Sequence, residues 1–306
     1  MTPDIRKLAT MAAFQCNDVS TSMRQYTMSH HEIQVDSKQD MVRQGVDAAG
    51  RPWTVVCDGH GKGKVIDCLR AADWEELLTT EEPIASARIL VDSLGERATF
   101  RDGSTISIVR VTESSINCSW LGDSEIRIYK DGDELWRSPR HGCGNDEELS
   151  SSHVTKLTRA PAWSLTVIDD NTITMEEGLY FHYGYDPITK EEEKLAMTRA
   201  LGHNGRTSTV PQKASIPIDK AGEWRVVTGS DGVWDMIHDG DVPFLSSFES
   251  DAKTITEFVE ARWKKEWAYV FPKPAPGATI EPQATKQTIP LGDDVCVGII
   301  QFTHEE

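Results

Sequence analysis

Four times in this chain an apolar, strand-like run ends in an aspartate close to a glycine. The runs are Trp53-Thr54-Val55-Val56-Cys57-Asp58-Gly59, Ser119-Trp120-Leu121-Gly122-Asp123-Ser124, Val226-Val227-Thr228-Gly229-Ser230-Asp231-Gly232 and Leu291-Gly292-Asp293-Asp294-Val295. Any one of them reads as turn chemistry, because Asp-Gly and Gly-Asp suit hairpin connections. Repetition changes that reading. Asp58-Gly59 and Asp231-Gly232 are followed by helix-like sequence rather than a returning strand, which places the aspartates together at one edge of a sheet core. Carboxylates collected there repel one another and partly neutralise unless a cation sits between them. Oxygen donors without paired His or Cys select a hard ion, so Mg²⁺ or Mn²⁺ is expected over Zn²⁺.

The rest of the sequence defines what carries this edge. Short runs rich in Val, Ile, Thr and Trp predict strands over Trp53–Cys57, Thr105–Val111, Ile116–Leu121, Ile126–Tyr129, Trp224–Thr228 and Val295–Phe302. Helical spacing predicts helices over Val65–Leu78, Pro83–Leu94, Glu191–Leu201 and Ala252–Trp267. Strands that do not alternate one-for-one with helices favour antiparallel sheets covered by a few helices, an α+β architecture. At 306 residues and 38% hydrophobic the chain can bury one large core, and it reads as a single domain over 1–306. The stretch Phe271–Pro290, with five prolines, reads as a loop insertion because an apolar strand follows it.

Charge and cysteine usage exclude several classes. The 32 Lys and Arg against 49 Asp and Glu give a formal net charge of −17, which disfavours nucleic acid and anionic membrane surfaces as partners. No apolar stretch is long enough to span a bilayer. The 6 cysteines show no metal or C-x-x-C spacing and read as reduced thiols of a cytoplasmic or nuclear protein. Arg6 and Lys7 before Leu8–Phe14 echo a secretory leader, but the apolar run is short and mixed, so secretion is not expected. The chain is read as a monomer.

The aspartate runs also carry a resemblance. Asp58-Gly59-His60-Gly61 resembles the Asp-Gly-His-Gly signature of the PPM, or type-2C, metal-dependent protein serine/threonine phosphatases. Gly122-Asp123-Ser124 is similar to that family's Gly-Asp-Ser element, and Thr198-Arg199-Ala200-Leu201-Gly202 to its Ser-Arg-Ala-Leu-Gly segment. Ser230-Asp231-Gly232-Val233-Trp234-Asp235 looks like its Ser-Asp-Gly-x-Trp-Asp motif, Asp293-Asp294 like its closing Asp-Asn, and Gln39-Asp40 like its early Glu/Gln-Asp. These elements fall in the family's order from Gln39 to roughly Ile300.

The resemblance implies a sandwich of two antiparallel β-sheets flanked by helices on both faces, with a two-metal centre at one end. Residue by residue, it implies that Asp58 bridges both ions, Gly59 offers its carbonyl to one, and Asp231 and Asp293 complete the shell of the second ion. Asp40 would hold the centre through ligand waters, and Asp123 with Asp231 would form a weaker third site. A hydroxide shared by the two cations would attack the phosphorus of a phosphoserine or phosphothreonine directly, and His60 would protonate the leaving oxygen. A phosphorylated protein is the implied substrate, with Arg199, Lys62 and Lys64 as candidate contacts.

Four positions depart from the family pattern. Val35 stands where the family usually places a phosphate-gripping Arg. Gly202-His203 replaces Gly-Asp, Asp293-Asp294 replaces Asp-Asn, and Lys62 replaces a glycine. Two further readings follow: a pseudophosphatase that keeps the fold and binds a signalling partner, and an acidic metal-binding module without phosphate chemistry.

Overall fold

The computed structural model describes residues 24–35, 37–142, 157–159, 164–167, 180–185, 192–195, 197–270, 285–288 and 293–305. Its strands in chain order are β1 (Tyr26–Ile33), β2 (Asp40–Val46), β3 (Pro52–His60), β4 (Gly103–Ser104), β5 (Ile106–Val111), β6 (Ser115–Leu121), β7 (Glu125–Lys130), β8 (Asp133–Arg137) and β9 (Leu157–Arg159). There follow β10 (Ser164–Val167), β11 (Tyr180–Tyr185), β12 (Glu192–Leu195), β13 (Leu201–Gly202), β14 (Gln212–Pro217), β15 (Gly222–Gly229), β16 (Glu266–Val270), β17 (Thr285–Thr288) and β18 (Val295–His304).

Two antiparallel sheets form the body. One runs β1-β18-β15-β7-β8; the other runs β13-β4-β3-β5-β6-β14, with β2 added on β3. Two small three-stranded sheets, β12-β11-β9 and β10-β16-β17, complete the described strands.

The period-2 alternation of each strand explains the layering. On β18, Val295, Val297 and Ile299 face outward and pack with Ile255, Val259 and Trp263 of the helix Ala252–Trp263. The intervening Ile300 and Phe302 face inward, against Val109, Ile116 and Trp120 of the other sheet. On β3, Trp53, Val55 and Cys57 face outward beneath Val65, Ile66 and Leu69 of the helix Lys64–Ala71 and Ile84 and Ala87 of the helix Pro83–Asp92. Val56 turns inward to meet Val42 and Cys296 between the sheets. Helices therefore cover both outer faces, and the expected α+β sandwich is the observed one.

Three helix expectations are corrected. Val65–Leu78 is not one helix: Ala72 is extended (φ −68°, ψ 144°), and Asp73 caps a second helix, Trp74–Leu77, by accepting from the Glu76 N–H at 3.0 Å. The described residues of Glu191–Leu201 are not helical; Glu192–Leu195 pairs with β11 as β12, and Leu201–Gly202 pairs with β4. The helix expected to reach Trp267 stops at Trp263, and Glu266–Val270 is β16. All but Thr285–Thr288 of the proline-containing stretch 271–290 lies outside the described residues, as does Leu8–Phe14. No helix among the described residues is long and apolar enough to cross a membrane. Cys57, Cys68, Cys118 and Cys296 are free thiols.

Candidate metal centre

The aspartates singled out in the sequence meet at one end of the sandwich. Asp58 lies near the end of β3, directly across the antiparallel ladder from Asp40, the first residue of β2. Asp123 sits in the connection between β6 and β7, Asp231 opens the short helix Asp231–Trp234 after β15, and Asp293 precedes β18. Carboxylate oxygens of Asp58, Asp123 and Asp231 lie within 4.8 Å of one another.

The backbone around Asp58 is fixed from both sides. Its N–H donates to Thr105 Oγ1 (3.1 Å), and its carbonyl accepts from the Thr105 N–H (2.9 Å). The Gly59 N–H donates to the Gln39 carbonyl at 2.8 Å, which ties β3 to the residue before Asp40. Any Cβ at Gly59 would lie 2.7 Å from Ile66 Cβ, so only glycine lets the helix Lys64–Ala71 pack this close to the strand end. Gly61 turns the chain with φ +103°, and a Cβ there would meet the Arg101 carbonyl at 1.8 Å. Opposite, the Asp231 carboxylate accepts from the Gly232 N–H at 2.7 Å, and Asp293 accepts from the Asp294 N–H at 2.8 Å.

The carboxylates crowd one another's charge. Burial pushes Asp58 well above the usual carboxylate range, and Asp231, Asp40, Asp123 and Asp293 push it further. Asp40 is fully enclosed and likewise raised by burial, with Ser230 opposing and Asp231, Asp293 and Asp294 reinforcing. Asp123 rises to about 7, from burial and then Asp231. Asp293 also rises to about 7 through desolvation and then Asp231; its residue surface is nevertheless exposed, so solvent screening makes Asp123 the firmer case. Asp40 Oδ2 and Asp123 Oδ1 are buried without a hydrogen-bond partner. Buried, unsatisfied carboxylate oxygens beside the convergent oxygens of Asp58, Asp123 and Asp231 suit hard divalent ions, so the donor set fits Mg²⁺ or Mn²⁺.

His60 lies two residues beyond Asp58, half-buried, with neither ring nitrogen hydrogen-bonded among the described residues. Burial lowers its pKa to about 4. His203, the departure from Gly-Asp, stacks on it with ring centroids 4.7 Å apart and planes at 20°. The other candidates lie on the surroundings. Lys62 donates its backbone N–H to the buried Asp102 carboxylate, while its side chain and that of Lys64 are exposed. Arg199 Nη1 donates to the Val210 carbonyl at 2.9 Å.

Several residues, two of them inside the quoted motifs, have roles that the sequence does not assign. Asp294, which replaces the family's Asn, is buried and accepts from Val35 N (2.5 Å), Ser37 Oγ (2.6 Å) and Gln39 N (2.6 Å). It fastens the segment leading into Asp40, so its charge is matched by donors. Asp235 and Glu125 extend the acidic cluster beyond Asp123, and Arg140 bridges them. The spacing of Asp231 and Asp235, one helical turn apart, is a signal for Asp235; nothing local in the sequence marks Arg140.

No family model matches the chain, and no curated protein matches it by sequence. Solved structures do match. The serine-threonine phosphatase 2C of Toxoplasma gondii aligns with TM-score 0.59 at 13% identity, over 93% of this chain and 96% of that one. The serine/threonine phosphatase Stp1 of Staphylococcus aureus aligns with TM-score 0.54 at 14% identity, over 96% of this chain and 100% of that one. The Mycobacterium tuberculosis phosphatase PstP/Ppp aligns with TM-score 0.52 at 13% identity, over 91% and 99%. The fold is that of the type-2C, or PPM, serine/threonine phosphatases.

Proposed function

We propose that the chain is a Mg²⁺- or Mn²⁺-dependent phosphatase acting on phosphoserine or phosphothreonine in proteins. One observation carries this reading: Asp58, Asp123 and Asp231, far apart in sequence, bring carboxylate oxygens within 4.8 Å at the end of a phosphatase-type sandwich. In this reading Asp58, Gly59, Asp231 and Asp293 hold two ions, and Asp40 supports them from the buried side. Divalent ions bound there supply a water acidic enough to ionise near neutral pH and positive charge against the phosphate oxygens.

The chain's own residues supply the rest. His60 hands a proton to the departing serine or threonine oxygen, which leaves poorly as an alkoxide. Burial keeps the ring neutral without substrate, and a phosphate dianion beside it favours the protonated form. Stacking on His203 limits the ring's rotation. Lys62, Lys64 and Arg199 border the approach of a protein substrate. Free thiols at Cys57, Cys68, Cys118 and Cys296 suit a reducing, intracellular compartment.

Phosphate release from a phosphoserine or phosphothreonine peptide, with Mn²⁺ and then with excess chelator, tests the reading. Turnover that requires Mn²⁺ and falls by orders of magnitude in Asp231→Ala supports it; turnover unaffected by chelator or by Asp231→Ala contradicts it. The second reading, a binding protein with the same fold, is favoured by Val35 at the position of the phosphate-gripping Arg. It predicts Mn²⁺ binding without turnover.

A further inference from the structure

Four carboxylates line the flank of the centre beyond Asp58. Asp123 and Glu125 lie two residues apart around the start of β7, and Asp231 and Asp235 stand one turn apart on and just after the helix Asp231–Trp234. Asp231 and Asp235 both act on the Asp123 carboxylate with like charge.

One guanidinium, that of Arg140, bridges the two sides of this flank. Arg140 Nε contacts Glu125 Oε1 at 2.6 Å, and Arg140 Nη1 contacts Asp235 Oδ1 at 3.0 Å, 95 residues away in the chain. The Glu125 side chain is 5% exposed, that of Asp235 18% and that of Arg140 27%, so solvent screens these pairs only in part. Arg140 also draws on Asp123, opposing the like charges there.

The backbone places this side chain deliberately. Residues Ser138 to His141 are strapped to β6, β7 and the connection between them: Ser138 N–H donates to the Ile126 carbonyl (2.8 Å), and Ser138 Oγ accepts from the Ile126 N–H (2.8 Å). His141 N–H donates to the Gly122 carbonyl (3.0 Å), and the Gly122 N–H donates to His141 Nδ1 (2.9 Å). Trp120 Nε1 donates to the Pro139 carbonyl at 2.9 Å. Arg140 is thus held between two anchored neighbours, and its entry to the cluster is built into the fold. Glu125 has a second cation, Arg127 (Nε–Oε2 3.2 Å), whose guanidinium lies 4.2 Å from the Trp234 ring centroid.

We propose that Arg140 is the resident cation of the Asp123 flank: held between Glu125 and Asp235, it takes the place of a divalent ion there, so that the centre loads two ions and not three. This rests on the metal-dependent reading above. A fixed guanidinium neutralises the flank permanently, whereas an exchangeable third ion would do so only at high metal concentration. Arg140 acts through the carboxylates and is a positioning residue.

The test counts ions. The full chain, stripped with chelator and dialysed against Mn²⁺, is assayed for bound metal per chain, alongside Arg140→Gln and Arg140→Lys. Wild type and Arg140→Lys are expected to bind two ions. Arg140→Gln should gain a third site tightened by on the order of tenfold or more, the scale of one charge removed from a partly buried cluster. That site should vanish in Arg140→Gln/Asp123→Ala. Three ions in wild type, or unchanged stoichiometry and affinities in Arg140→Gln, would overturn the inference while leaving the two-ion centre standing. No bound Mn²⁺ in wild type would overturn the metal-dependent reading and this inference with it. Should Arg140→Gln fail to fold, the wild-type count decides alone.

Discussion

Asp294 offers the sharpest test of how the fold holds the centre. Its carboxylate is 2% exposed and accepts from Val35 N, Ser37 Oγ and Gln39 N at 2.5, 2.6 and 2.6 Å. A hydrogen bond to a charged group contributes about 1.5–3 kcal/mol, and such contributions are not additive within one network. Removing the acceptor also strands the half-buried backbone donors of Val35 and Gln39, while the exposed Ser37 hydroxyl turns to water. Against this, losing one negative charge relieves repulsion with Asp40 and Asp293, an offset of about 1 kcal/mol at an intermediate dielectric. Asp294→Ala should therefore lose about 3–5 kcal/mol. Asp294→Asn, keeping one acceptor oxygen but turning an amide toward a donor, should lose about 1–3 kcal/mol. Urea unfolding in chelator reads both, with m unchanged if only native contacts are lost. A loss below about 0.5 kcal/mol in Asp294→Ala would refute the claim that this carboxylate anchors the segment leading into Asp40.

Three other perturbations follow from the geometry. Gly61→Ala puts a Cβ 1.8 Å from the Arg101 carbonyl at φ +103°, and should cost more than about 2 kcal/mol; thermal melts that match wild type would contradict it. His60→Asn should lower kcat by about 10²–10⁴-fold on a phosphoserine peptide but far less on para-nitrophenyl phosphate, whose leaving group needs no proton, and equal losses would rule out a general acid. Asp123 titrates near 7 in the metal-free fold, above its unfolded value, so its stabilising effect is full below pH ~4 and lost as pH rises through ~7. The melting temperature gained on adding Mn²⁺ should accordingly grow from pH 5 to pH 8. A gain independent of pH would contradict a cation site beside the Asp123 carboxylate.

The sandwich was legible because its central strands are buried on both faces and read as continuous apolar runs. Trp53–Cys57 and Val295–Phe302 are of this kind. Edge and half-exposed strands such as β1 and β8 carry polar residues on one side and gave no comparable signal. The helix expected over Glu191–Leu201 failed because pairing with β11 and β4 overrode helical spacing. The break at Ala72 had a readable cause, the Asp73 cap, which periodicity alone passes over. Within the centre, the aspartates were legible because each ends or precedes a strand. Arg140, and the anchoring role of Asp294, were not, because they come from contacts 95 and more than 250 residues away in sequence.

Anomalous diffraction from crystals of the full chain soaked in manganese addresses the metal centre most directly. The account predicts two manganese peaks in contact with the carboxylates of Asp58, Asp231 and Asp293, and Arg140 still between Glu125 and Asp235. Manganese found only at other surface carboxylates, with Asp58 and Asp231 turned apart, would contradict it.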